Sequence, residues 1–193
     1  MKTFPNLNDP EIIERLQAGQ VGVLPSDSVY GLMCVASNPK AVKRLYELKQ
    51  RDGKPGTLIG ASVNQFAELG LDVHQLALAE QYWPGPVSVI VRCSTKLSYL
   101  HLGRQSLAVR IPNFADLLAI LQTTGVLQTS SANLTGQPVA TTIDEAKDYF
   151  RDEVDFYVDG GNLANRQAST IISLINNKVE VVRQGSVQVV ANQ

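Results

Sequence analysis

The sequence Val21-Gly22-Val23-Leu24-Pro25-Ser26-Asp27-Ser28-Val29-Tyr30-Gly31-Leu32 decides the fold, because a short apolar run stops there in a polar loop. The run is too short for a helix, and Pro25 lacks the N–H that a continuing strand would donate. The segment therefore predicts a strand that ends in a loop, where Ser26, Asp27 and Ser28 offer hydrogen-bonding groups to a small ligand. The same residues also fit a turn in which Ser and Asp side chains bond their own backbone.

Length and composition indicate a single domain with a hydrophobic core. With 193 residues, 44% of them hydrophobic, the chain predicts a single domain over residues 1–193. The sequence has no apolar run of about eighteen residues, and residues 1–5 have no apolar stretch that a signal peptide would need. We therefore expect a cytoplasmic protein without membrane association. The net charge of −1 argues against a strongly basic nucleic-acid binder, although a local basic groove is compatible with it.

The cysteines and histidines do not predict a metal or catalytic site. Cys34 and Cys93 lie in apolar runs, far from a second Cys or His at metal-ligand spacing, which is typical of buried small hydrophobic residues. His74 and His101 are isolated as well. Neither a zinc site nor a Ser–His–Asp or Cys–His arrangement is therefore predicted.

Along the chain, segments with the pattern of strands alternate with segments that have the pattern of amphipathic helices. The predicted strands cover 21–24, 57–61, 87–93, 106–111, 126–129, 155–159, 169–174 and 179–183. The predicted helices cover 9–19, 38–48, 72–82 and 114–121, the last with Asn113 as its cap, and another begins with a capping box at Thr142. Asn176-Asn177 predicts a tight turn between the last two strands, which are then antiparallel. The sequence thus predicts an α/β fold with a mixed sheet.

Three polar loops follow predicted strands or helices, at 25–31, 49–56 and 130–136. In such folds ligands usually bind where loops of this kind meet, so we expect the three to converge at one edge of the sheet. The middle loop carries Lys49, Arg51 and Lys54, which suit either an anion or merely the end of the preceding helix. A phosphate site here would use side-chain cations and hydroxyls, because neither a Walker A nor a G-x-G-x-x-G pattern occurs.

Short motifs run in a fixed order along nearly the whole chain. They are Pro-Ser-Asp-Ser-Val-Tyr-Gly at 25–31, Lys-Gln-Arg at 49–51, Pro-Gly-Pro-Val-Ser at 84–88, Leu-Ala-Val-Arg-Ile-Pro at 107–112, Ser-Ala-Asn at 131–133, Ser-Thr-Ile at 169–171 and Arg-Gln-Gly at 183–185. Each motif by itself is weak evidence for a particular family. Together they resemble the YrdC-like family of threonylcarbamoyl-AMP synthases.

The chain departs from the family pattern at a few positions. Serines replace the family's threonines at Ser26, Ser28 and Ser88, so each position keeps a hydroxyl but loses a methyl group. After Lys-Gln-Arg, the family's proline is Asp52, and residues 54–58 read Lys-Pro-Gly-Thr-Leu where the family has Lys-Pro-Leu. The Ser-Ala-Asn motif, which relatives without established synthase activity lack, is present, and this favours the active branch.

The resemblance implies a single α/β domain with a twisted mixed sheet, flanking helices and a concave, partly basic active-site face. The implied reaction joins L-threonine, bicarbonate and ATP to give threonylcarbamoyl-AMP and pyrophosphate, for the threonylcarbamoyladenosine modification of tRNA. It also implies tRNA and the tRNA threonylcarbamoyl-transfer proteins as partners. Such a reaction joins two anions, so it needs charge neutralisation and positioning more than a covalent nucleophile.

The resemblance also assigns residues to roles. Lys49 and Arg51 are the implied catalytic residues. The implied ATP contacts are Lys49, Arg51, Ser88, Ser131, Asn133 and Arg183, and the implied threonine contacts are Ser28, Arg110 and Ser169, with Arg110 paired to the threonine carboxylate. No metal site of the protein is predicted, and Mg²⁺ is expected to be carried by the phosphates, since no carboxylate cluster is visible.

Two other functions stay open at this stage. A YrdC-like domain can bind RNA or a nucleotide without chemistry, and the altered loop after Arg51 and the three Thr-to-Ser changes fit that alternative. A carbamoyl-transfer domain of the hydrogenase-maturation type has a similar fold, but the extra domains of those proteins are not in this sequence. Pyrophosphate release with and without threonine and bicarbonate separates a synthase from a binding module.

Overall fold

A mixed β-sheet forms the centre of the protein. The computed structural model describes residues 1–50, 53–176 and 178–190. In these residues the sheet has ten strands, in the order β1-β8-β2-β3-β7-β4-β6-β5-β9-β10. The strands are β1 (Lys2–Phe4), β2 (Gly22–Leu24), β3 (Gly31–Val35), β4 (Thr57–Ile59), β5 (Val87–Arg92), β6 (Ser106–Arg110), β7 (Leu127–Ser131), β8 (Phe156–Val158), β9 (Thr170–Ser173) and β10 (Glu180–Arg183).

Neighbouring strands form parallel pairs in some places and antiparallel pairs in others, so the sheet is mixed. For example, β4 pairs with β6 in parallel and with β7 in antiparallel orientation. The last two strands, β9 and β10, are antiparallel as predicted. Asn176 lies in a turn between them, and Asn177 lies outside the described residues. The predicted α/β fold with a mixed sheet is thus confirmed.

Helices lie between the strands, as the alternating pattern predicted. They are α1 (Glu11–Gln17), α2 (Pro39–Leu48), α3 (Val63–Leu69), α4 (Val73–Ala79), α5 (Ser98–His101), α6 (Ala115–Thr124) and α7 (Ile143–Phe150). The sequence patterns did not predict β1, β3, α3 and α5. These elements are short, and the periodicity of three to seven residues does not separate them from loops. In the described part of the chain, none of the helices has the length and apolar character to cross a bilayer.

Helix starts follow the predicted caps in most cases. The side chain of Asn38 accepts hydrogen bonds from the N–H groups of Lys40 and Ala41, and that of Thr142 accepts one from Glu145. The predicted cap at Asn113 is wrong, because α6 begins one residue later and has no side-chain cap. The backbone N–H of Asn113 instead donates to the Asp27 carboxylate at 2.9 Å. Asn113 thus lies before the start of α6, where its backbone is bound to a distant loop.

Apolar residues pack on both faces of the sheet. On one face, helices that include α2, α4, α5 and α7 pack against strand residues such as Leu58 and Val109. On the other face, α1 and α6 pack against Ile59 and Leu127. Successive strand residues alternate in direction, so Thr57 and Thr129, two positions away from Ile59 and Leu127, lie on the same face as α1 and α6. This face therefore changes from apolar to polar along the strands.

Candidate active site

The polar part of this sheet face forms a cavity of about 170 Å³. Its lining includes most of the residues that the motifs singled out, namely Ser28, Ser88, Arg110, Ser131, Ser169 and Arg183. They come from the opening loop, from strands β5, β6, β7 and β10, and, for Ser169, from the position just before β9. The three polar loops come together beside this cavity, as expected, since the Ala132 N–H donates to the Tyr30 carbonyl at 2.8 Å and Lys49 Nζ donates to the carbonyls of Ser131 and Asn133. The cavity lies across the face of the sheet, because strands that are distant in sequence are neighbours in it.

The opening loop forms the turn that the sequence allowed, and it also contributes a serine to the lining of the cavity. The Ser26 hydroxyl donates to the carbonyl of Val29 at 2.7 Å and accepts from the N–H groups of Ser28 and Val29 at 3.2 Å, so it stabilises a turn. The Ser28 hydroxyl accepts from Arg110 Nη2 at 3.4 Å and lines the cavity. One serine thus shapes the loop while the other faces the site.

Arg110 is held by an acid from the opening loop. Its Nη1 donates to the Asp27 carboxylate, and both side chains are buried, with 5% and 8% of their surfaces exposed. The other oxygen of Asp27 accepts from the backbone N–H of Asn113. Within the described residues, the buried Nε of Arg110 has no hydrogen-bond partner. The cavity therefore contains a guanidinium that is fixed in position and only partly satisfied.

A second cluster joins the strands at the other side of the cavity. The Oγ atoms of Ser88 and Ser169 lie 3.0 Å apart, and Arg183 Nη2 donates to the Ser169 carbonyl at 2.7 Å. Ser88 is fully buried, whereas Arg183 is exposed. Gly185 lies against this cluster, since a Cβ at that position would lie 2.2 Å from the Ala168 carbonyl oxygen. The Arg-x-Gly motif thus brings an arginine next to the backbone of the Ser-Thr-Ile motif.

The predicted basic loop implied that Lys49 is a solvated loop residue. The structure shows instead that its side chain is buried. Lys49 follows the last residue of α2 and is only 4% exposed. Its Nζ donates to the carbonyls of Ser131 and Asn133 at 2.7 and 2.6 Å, and to the Asn133 side-chain oxygen. Arg51, the other predicted catalytic residue, lies outside the described residues. The Lys49 ammonium therefore links the end of α2 to the loop after β7.

A second depression adjoins the cavity. Its lining consists of Lys49, Gln50, Lys54, Ser131, Asn133, Thr135 and Gly136. Ser131 lines both the cavity and this depression, so the two lie next to each other at the Ser-Ala-Asn motif. Lys54 is exposed at the depression and adds a second cation to it. We refer to this region below as the cationic depression.

Two residues that hold the site together were not identified from the sequence. The Tyr30 hydroxyl accepts from the Gly160 N–H at 2.7 Å and donates to the Gly161 carbonyl at 2.8 Å. Burial raises the pKa of Tyr30 to about 12, so the hydroxyl stays protonated. Arg166 Nη1 donates to the Ser26 carbonyl at 2.5 Å. Tyr30 belongs to the opening motif, but nothing in the sequence around Arg166 marks its role.

The described residues offer neither a metal-binding cluster nor a reactive thiol. Groups of three or more His, Cys, Asp and Glu side chains that suit a metal ion are absent from them. Burial raises the pKa of the Cys34 thiol to about 12 and that of Cys93 to about 11. Cys34 is buried as predicted, whereas Cys93 is only partly buried. The polar side chains that line the cavity and the cationic depression are mainly hydroxyls and cations, with the Asn133 amide.

The Sua5/YciO/YrdC family model, which carries the description "Telomere recombination", matches residues 14–185. The chain belongs to this family. The resemblance that the motifs indicated is thus confirmed, and it extends over nearly the whole chain. The threonylcarbamoyl-AMP synthase of Vibrio campbellii is a similar family member. It is 32% identical over 185 residues, which cover 92% of this chain and 99% of the relative.

Solved structures of the family have the same fold. Pyrococcus abyssi Sua5 in complex with L-threonine is similar with a TM-score of 0.85 and 25% identity over 95% of this chain, which spans 57% of that protein. Escherichia coli YciO is similar with a TM-score of 0.83 and 25% identity, over 97% of this chain and 98% of YciO. The family's sheet architecture therefore matches the one described above.

Proposed function

We propose that this protein is a threonylcarbamoyl-AMP synthase, which condenses L-threonine, bicarbonate and ATP. The observation that carries the proposal is that Ser131 lines both the hydroxyl-lined cavity and the cationic depression, so the two lie side by side. An amino acid in the first and a nucleotide triphosphate in the second would meet at this residue. Relatives named threonylcarbamoyl-AMP synthase, about 30% identical over most of the chain, support the same activity.

The cavity is the proposed binding site for threonine. A carboxylate is the natural partner of the Arg110 guanidinium, whose planar group can hold two oxygens at once. Asp27 already engages Nη1, so the substrate carboxylate would bind through the remaining donors beside Ser28. Ser169 closes the opposite side, where it lies next to Ser88. The complex of Pyrococcus abyssi Sua5 with L-threonine supports an amino-acid site in this fold.

The cationic depression is the proposed binding site for the ATP phosphates. Lys49, Ser131 and Asn133 line it, and Arg51, which is two residues after Lys49 in the sequence, lies outside the described residues. Ser88 and Arg183 lie in the adjoining cavity, where they would reach the α-phosphate. Mg²⁺ would be held mainly by the phosphates and water, because the carboxylate of Asp27 is already bound to Arg110 and Asn113.

The reaction would proceed in two steps without a covalent enzyme intermediate. The amine of threonine first adds to bicarbonate and gives a carbamate with loss of water. A carbamate oxygen then attacks the α-phosphorus of ATP, the bond to the β-phosphate oxygen breaks, and pyrophosphate leaves. Both reactants are anions, so guanidinium groups and aligned donors would lower the barrier by neutralising charge and by positioning. The adenylate product would then serve the modification of tRNA by partner proteins.

Pyrophosphate release from ATP tests the proposal. We expect the purified protein to release pyrophosphate only when L-threonine and bicarbonate are both present, because the carbamate is the attacking group. Release without threonine would identify a different acceptor and overturn the proposed substrate. A folded sample that binds ATP but releases no pyrophosphate under any of these conditions would favour a nucleotide- or RNA-binding protein instead.

A further inference from the structure

The segment between β8 and β9, residues 159–169, packs along the opening loop. The N–H of Gly160 donates to the Tyr30 hydroxyl at 2.7 Å, and a Cβ at Gly160 would lie 2.4 Å from the Cβ of Pro25. The other end of the segment reaches the cavity, which Ser169 helps to line. One segment therefore contacts the opening loop and also forms part of the cavity wall.

Arg166 joins this segment to the opening loop. Its Nη1 donates to the Ser26 carbonyl at 2.5 Å, and its Cζ lies 5.9 Å from the centroid of the Phe114 ring. Ser26 lies beyond the end of β2, so its carbonyl needs a donor from elsewhere in the fold, and Arg166 supplies one. A hydrogen bond from a charged donor is stronger than a neutral one, and the ring adds a cation–π contact. Arg166 therefore holds the opening loop although the residue is exposed.

Arg166 and Asp27 connect the same two parts of the chain. Asp27 follows Ser26 in the opening loop, and its carboxylate accepts from the N–H of Asn113 at 2.9 Å. Arg166 binds the neighbouring residue in each part, which is Ser26 in the loop and Phe114 before α6. The described lining of the cavity includes Ser26 but not Arg166, so the arginine acts on the site through the loop.

We infer that Arg166 is a positioning residue for the amino-acid substrate, and this inference rests on the proposed function. The loop that Arg166 holds carries Ser28, and the segment that contains Arg166 ends with Ser169 at the opposite side of the cavity. Both serines are proposed threonine contacts, so Arg166 restricts the distance between them. The described lining of the cationic depression includes no residue of either segment. Loss of Arg166 should therefore weaken threonine binding and leave ATP binding nearly unchanged.

The kinetics of pyrophosphate release test this role with three variants. Arg166→Met removes the donors, Arg166→Lys keeps a charged donor, and Arg92→Met is the matched control, because Arg92 is likewise exposed and is not among the described residues that line the cavity or the cationic depression. We expect Arg166→Met to raise the KM for threonine by roughly three- to tenfold, since the lost hydrogen bond is charged but exposed. Its kcat and its KM for ATP should stay within about twofold of the wild type. Arg166→Lys should recover part of the loss, and Arg92→Met should match the wild type. An unchanged KM for threonine in Arg166→Met, or an equal rise in the KM values for threonine and ATP, would overturn the inference.

Amide hydrogen exchange of the free protein, measured by NMR, tests the structural basis separately from the reaction. The N–H groups of Ser28 and Val29 donate to the Ser26 hydroxyl, so their exchange reports on the shape of the opening loop. We expect Arg166→Met to speed their exchange by roughly threefold or more and Arg92→Met to leave it unchanged. Unchanged exchange in Arg166→Met would overturn the inference even if the protein is a synthase. A wild-type protein without pyrophosphate release would refute the proposed synthase, and the exchange comparison would still decide whether Arg166 holds the loop.

Discussion

Asp27 and Arg110 form a buried ion pair between two motifs that are 83 residues apart in the chain. The second oxygen of Asp27 binds the backbone N–H of Asn113, just beyond the strand that carries Arg110. One carboxylate therefore fixes both the guanidinium and the turn behind it. The opening loop, which carries Asp27, therefore determines the orientation of the Arg110 side chain.

Asp27→Asn is expected to lower the free energy of unfolding by about 3–5 kcal/mol, because it leaves a buried guanidinium without its counter-charge. It should also raise the KM for threonine, since Arg110 is no longer held in place. Asp144→Asn is the control, because that side chain is 87% exposed and its ion pair is worth less than about 1 kcal/mol. Urea unfolding of the two variants measures the difference. Equal stabilities would show that the Asp27–Arg110 pair contributes nothing.

Ser28 is expected to contact the amino-acid substrate through its hydroxyl. Ser28→Thr keeps this group and should be tolerated, whereas Ser28→Val removes it and should weaken threonine binding sharply by leaving a polar group unpaired. The methyl group that Ser28 lacks is worth about 1–3 kcal/mol of discrimination in a pocket, so the wild type should distinguish threonine from serine only modestly. The threonine and serine dependence of pyrophosphate release in the three proteins measures both effects. If Ser28→Val matches the wild type, Ser28 does not touch the amino acid.

Two lysines of the cationic depression should differ in their effect on stability. Lys49→Met leaves buried carbonyl oxygens without a donor, each at a cost of about 1–3 kcal/mol, so the free energy of unfolding should fall by at least that amount. Lys54→Met removes an exposed cation and should change it by no more than about 0.5 kcal/mol. Chemical unfolding of both variants gives the comparison. A Lys49 variant as stable as the Lys54 variant would show that the ammonium is not bound as described.

The cysteines of the folded protein should resist thiol reagents at pH 8. Burial raises the pKa of Cys34 to about 12 and that of Cys93 to about 11, so very little of either is the reactive thiolate at that pH. Reaction with a chromogenic disulfide should therefore be slow, and slower at the buried Cys34 than at Cys93. Unfolding in urea should expose both thiols and restore ordinary rates. Rapid stoichiometric labelling of the native protein would contradict this expectation.

The sequence by itself determined the elements whose physical cause is local. The run before Pro25 ends as a strand, Asn38 and Thr142 begin helices through their own side chains, and the last two strands are antiparallel. Periodicity and capping act over a few residues, so they can be read without a structure. The order of the motifs likewise sufficed to identify the family, because each motif is a local pattern.

The tertiary structure alone decided how these elements combine into a site. Lys49 belongs to a basic loop in the sequence, but in the fold its ammonium lies among the oxygens of residues 82 and 84 positions away. Asn113 looks like a helix cap, but its N–H binds the distant Asp27. Such contacts depend on which strands become neighbours in the sheet, and no local pattern of residues specifies that order. The burial of the Lys49 ammonium, which links two distant segments of the chain, therefore follows from the topology of the sheet.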